Sequence, residues 1–121
     1  MVVLNQALAQ QMLQLCTTGL EGLRHVHQRN TEGHFESTAP LFHDVVWAFA
    51  ELERTMEEDG AVMSEDLREA KTDLLQSLTR MVEAYEAEDH ARILEHMELE
   101  LMPRYERWHR ALHDEFQAHL N

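Results

Sequence analysis

Apolar side chains recur at steps of three and four along this chain, and that spacing restricts what it can become. From the N-terminus, Leu4, Leu8, Met12, Leu15, Gly19, Leu23 and Val26 fall on one side of a helix, with Cys16 and Leu20 widening the stripe. A helix carrying one apolar stripe must bury it against other elements, and here the other elements carry the same kind of stripe.

Asn30 and Gly33 are the stop candidates for the first helix. A second helix is expected from S-T-A-P, with Ser37 or Thr38 as cap and Pro40 in the first turn, where a missing N–H is harmless. Its inner face is Phe42, Val45, Val46, Phe49, Leu52 and Met56, and Asp59-Gly60 closes it. Ser64 caps the third, since Glu65 and Asp66 suit the positive end of the helix dipole, and Leu67, Ala70, Leu74, Leu78, Met81 and Tyr85 carry its stripe. A turn is expected at E-A-E-D, with Asp89 capping the fourth helix.

The fourth stripe runs Ile93, Leu94, Met97, Leu101, Tyr105, Trp108, Leu112, Phe116 and Leu120, keeping its phase across Pro103. Proline cannot donate to the Leu99 carbonyl, so a kinked helix is expected there rather than two helices. The reading is all-α: a single domain over residues 1–121, an up-down-up-down four-helix bundle with a long, Pro-kinked fourth helix. A paired or domain-swapped arrangement of two chains is the rival architecture.

A formal charge of -13, from 10 basic and 23 acidic residues, disfavours nucleic acid and anionic membrane, both of which are bound through clustered Lys and Arg. Cys16 is the lone cysteine, which fits a reducing compartment, and neither a signal sequence nor a membrane span is evident, so a cytoplasmic protein is expected.

The nine histidines invite a metal reading. Di-iron bundles use Glu-x-x-His on two helices, and here Glu106-x-x-His109, followed by His113, supplies one half of such a set with no counterpart. Glu106, His109 and His113 are therefore the alternative metal ligands, against the plainer reading that both histidines flank an amphipathic stripe. Protonation of the histidines at acid pH could also promote association. Glu98, beside Leu94, Leu101 and Met102, is the candidate for a buried ion pair, with Arg24, Arg80 or a histidine as partner. No nucleophile motif or phosphate-cradling glycine loop occurs, no catalytic residue is singled out, and no cofactor is called for.

The run E-H-M-E-L-E-L-M-P-R-Y-E-R-W resembles a segment of small, uncharacterised helical-bundle proteins, mainly from Gram-positive bacteria. Glu95, Glu98, Glu100, Leu101, Pro103 and Trp108 match that pattern, while His96 stands where an apolar residue and Leu99 where an aromatic is usual. The resemblance implies an all-helical, bacterial, cytoplasmic protein and no particular activity. In size and acidity the chain is also similar to flagellar export chaperones. The expected function is therefore non-enzymatic: an adaptor or chaperone-like bundle that binds another protein, or itself as a homodimer, through an aromatic face of Tyr105, Trp108 and Phe116.

Overall fold

The computed structural model describes residues 6–58 and 63–120, the side chains of 118–120 excepted. Four long helical runs form an all-α bundle, and no strand occurs among the described residues. They are α1 (Gln6–Thr31), α2 (Phe35–Glu58), α3 (Glu65–Glu86) and a last run made of α4 (His90–His96), a π-helical turn (Met97–Leu101) and α5 (Met102–Leu120). Leu4 and the Asp59-Gly60 stop lie outside the described residues.

The connections explain the order. Gly33, at φ 88°, ends α1: its amide donates to the Asn30 carbonyl (3.0 Å), and the next amide, of His34, reaches the Arg29 carbonyl (3.0 Å). This closes the helix with a left-handed residue that only glycine adopts freely. Glu88 does the same after α3 at φ 54°, with Asp89 N–H donating to Ala84 and Glu88 N–H to Tyr85. Ser64 and Asp89 cap as expected, their side chains accepting from the amides of Leu67 and Arg92.

The start of α2 differs from expectation. It begins at Phe35, so Pro40 lies inside the helix, and neither Ser37 nor Thr38 is its cap. Thr38 is instead buried: its hydroxyl donates to Asn30 Oδ1 (2.6 Å), while Asn30 Nδ2 donates to the Tyr85 hydroxyl (3.0 Å). Each of these buried polar groups has a partner, and the triangle ties α1, α2 and α3 together at one end.

In the last run the amide of Met102 reaches back to the Met97 carbonyl, the five-residue step of a π turn. The stripe explains why it is needed. Ile93, Met97, Leu101 and Tyr105 are spaced by fours, and each such step overshoots a 3.6-residue turn by about 40°, about 120° over three. One extra residue in a turn takes back about 100°. All four side chains therefore reach the core at 0–1 % exposure. The irregularity recorded at this point is the π turn before Pro103, which itself offers no amide to the Glu98 or Leu99 carbonyl.

Inside, α1 packs on α2 and α5, and α3 on α4, the π turn and α5. Large rings carry α2 to the far side: Phe42 stacks on Tyr85 (centroids 5.2 Å) and Phe49 meets Trp108 edge-on (4.9 Å).

Candidate functional site

The most chemically suggestive residues cluster at the π turn. His96, almost fully buried, has Nδ1 2.5 Å from Glu100 Oε2, and its Nε2 faces the Ser77 hydroxyl (2.9 Å) and the Ser77 carbonyl (3.0 Å). Arg80 and Arg104 each approach Glu100 Oε1 at 3.4 Å, and Arg104 also donates to the Asp73 carbonyl (3.2 Å). The order Ser–His–Glu matches that of a hydrolytic triad, but a nucleophile must be reachable. Ser77 is fully buried within α3, and the concavity lined by Arg80, Arg92, His96, Leu99 and Glu100 does not extend to it. The cluster is thus a polar lock between α3 and the last helical run, with its buried groups satisfied.

This corrects the expectation for Glu98. Glu98 is solvent-exposed, and Glu100 is the half-buried acid that Arg80 meets. The reason is the π turn: its extra residue shifts the phase within Met97–Leu101, so that Glu100 rather than Glu98 turns toward α3.

Tyr105, Trp108 and Phe116, expected to form an uncovered aromatic face, are core residues at 1 %, 2 % and 0 % exposure. The bundle encloses these three rings, leaving none of them for a partner. The Tyr105 hydroxyl donates to the Cys16 carbonyl (2.9 Å) and rests where Gly19 has no side chain; a Cβ at Gly19 would collide with it. Burial raises the Tyr105 hydroxyl well above its ordinary pKa. It also pushes the Cys16 thiol up to about 12, with the nearby Tyr105 hydroxyl acting against it, so the thiol is a packing group and not a thiolate.

Nor do Glu106, His109 and His113 converge. Glu106 faces Arg24 (4.0 Å), His109 Nε2 meets the Thr17 hydroxyl (3.0 Å), and His113 is exposed. Partial burial, then the neighbouring His113 and Arg24, holds the His109 pKa below the ordinary histidine value. Among the described residues no three His, Cys, Asp or Glu side chains are grouped to hold a metal ion. Glu53, whose pKa is raised by burial and opposed by Lys71 at 3.5 Å, borders a cavity of about 40 Å³. That is room for a water, not for a substrate.

What remains is an apolar surface that sequence reasoning missed. Between α1 and α2 runs a groove of about 410 Å³, walled by Leu15, Gly19 and Gly22 on one side and Leu41, Val45 and Ala48 on the other. Gly22 leaves its floor without a side chain, a Cβ there coming within 3.5 Å of Val45 Cγ2, whereas the missing side chain of Gly19 is turned inward, to the Tyr105 hydroxyl. Trp47 stands on its edge at 64 % exposure and Leu41 at 38 %. The available signal was a tryptophan off the inner stripe of α2, at a position where an amphipathic helix ordinarily carries a polar residue.

Fold and surface together define a small all-α bundle with a closed core and an open apolar groove. The chain belongs to the family described as Domain of unknown function (DUF8042), whose model matches residues 7–111 and so spans both the groove and the π turn. No curated protein and no solved structure matches it. No helix among the described residues is long and apolar enough to cross a membrane.

Proposed function

We propose that this chain is a non-enzymatic interaction protein that engages another protein through the outer face of α1 and α2. The observation that carries this reading is Trp47, left 64 % exposed beside an apolar groove. A tryptophan offers about 150–250 Å² of contact area, and covering the part left in water gives on the order of 2–4 kcal/mol. Tryptophan is also the residue type most enriched among binding hot spots. The groups best suited to chemistry, by contrast, are occupied: Ser77, His96 and Glu100 with one another, and Cys16 in the core. A bacterial cytoplasmic setting is part of the proposal, supported by the resemblance of the segment from Glu95 to Trp108 and by a buried, unpaired thiol.

A photo-crosslinking residue placed at position 47 in cells tests it, with the same residue at position 99 as control. The expected result is one discrete adduct from position 47, identified by mass spectrometry, whose purified protein rebinds the wild-type chain but not Trp47→Ser. Adducts of equal yield from positions 47 and 99, or rebinding that ignores Trp47→Ser, overturn the reading.

A further inference from the structure

We propose that the α1–α2 groove receives an amphipathic helix of about three turns with basic flanks, supplied by a partner protein; this rests on the reading of that face as a binding surface. Length gives the first argument. From Leu15 to His25 the groove follows α1 for about 15 Å at 1.5 Å per residue, which is close to three helical turns. Its floor at Gly22 carries no side chain and lets another backbone lie close, while Trp47 and Leu41 stand beside it as apolar anchors for a helix laid in lengthwise.

Charge gives the second. Asp44 lines the groove, and Glu21, three residues after Thr18 and four before His25, shares that side of α1. Neither is ion-paired among the described residues. The arginines of the same two helices are committed elsewhere: Arg24 faces Glu106 and Arg29 faces Glu32, each at 4.0 Å, and Arg54 bridges Glu51 and Glu58 at 2.6 and 2.7 Å. An apolar channel with unpaired acids at its rim selects a helix whose apolar stripe is bordered by Lys or Arg. A second copy of this chain does not fit, because each copy carries a formal charge of -13 and only 10 basic residues against 23 acidic ones.

The test uses the full chain and two synthetic helical peptides of about 18 residues, long enough for three turns plus frayed ends. Both carry the same leucine stripe, one with lysine and the other with glutamate on the remaining faces. Calorimetry and Trp47 fluorescence should show saturable one-to-one binding of the Leu/Lys peptide and at least about tenfold weaker binding of Leu/Glu. Trp47→Ser, and separately Gly22→Leu, which fills the floor, should each weaken the Leu/Lys peptide by about tenfold or more. Leu99→Ser, at an exposed leucine within the π turn, should change nothing. Circular dichroism confirms that each variant is folded, and Trp47→Ser, an exposed site, keeps the test decisive if Gly22→Leu is not.

Binding that is indifferent to both groove variants, or equal for the two peptides, overturns the proposal. So does concentration-dependent dimerisation that Trp47→Ser abolishes, which would give the groove to a second copy. If the peptide fails while position 47 crosslinks a protein that rebinds, the helix proposal falls and the interaction reading stands. If both fail, both fall.

Discussion

Around Trp108 every large side chain is used by the core, whereas around Trp47 large apolar groups face water. Trp108 is 2 % exposed and touches Phe49 and Tyr105 edge-on, at 4.9 and 5.4 Å. Trp47, on the outward side of α2, borders a groove floored by Gly22. The same residue type serves cohesion in one place and is left uncovered in the other. The difference lies in where helical phase puts it: position 108 continues the inner stripe and position 47 departs from its own. Residues rich in chemistry follow the opposite logic: beside the π turn His96 is held by Ser77 and Glu100, and Glu100 in turn by Arg80 and Arg104.

The largest expected effects set the two tryptophans against each other. Trp108→Ala should cost about 3–5 kcal/mol of stability in urea unfolding, as for other large core side chains. Trp47→Ser should stay within about 0.5 kcal/mol of wild type. Comparable losses for both would mean that the α1–α2 face is part of the core and the contrast does not exist.

An intermediate effect is expected at the contact between core and groove. Gly19→Ala drives a Cβ into the Tyr105 hydroxyl and should cost about 1–3 kcal/mol, as overpacked sites do. Combined with Tyr105→Phe, which removes that hydroxyl, the loss should be smaller than the sum of the two single changes. Strict additivity would show that the helices simply move apart.

The smallest effect separates two acids in one turn. Glu100→Gln weakens the contacts with His96, Arg80 and Arg104 and should cost about 1 kcal/mol, whereas Glu98→Gln should change stability by no more than a few tenths. The reverse order would place Glu98, not Glu100, in the lock.

The periodic stripes and two of the helix caps were legible in the sequence because each depends on neighbours within one helix. Ser64 and Asp89 needed only the residues after them, and Leu67 to Met81 only their spacing. Thr38 was misread because its partners, Asn30 and Tyr85, come from other helices; a hydroxyl near a proline looks like a cap until the buried amide that claims it is known. The exchange of Glu98 for Glu100 followed from assuming α-helical phase throughout, although three consecutive steps of four from Ile93 to Tyr105 already exceeded what an α-helix holds in line. Burial of the aromatic face depended on how completely three other helices enclose it, which one stripe does not encode. The groove was hidden for a related reason, since it is made by an absent side chain at Gly22 on α1 and an off-stripe residue on α2.

The wide turn at Met97–Leu101 also sets how this protein tolerates changes of length. Because it amounts to one surplus residue, excising the exposed Glu98 would shorten the segment to ordinary α geometry and leave the residues on both sides in step with the interior. A deletion at the same depth in α3, where no surplus is stored, would swing every following side chain off its seat.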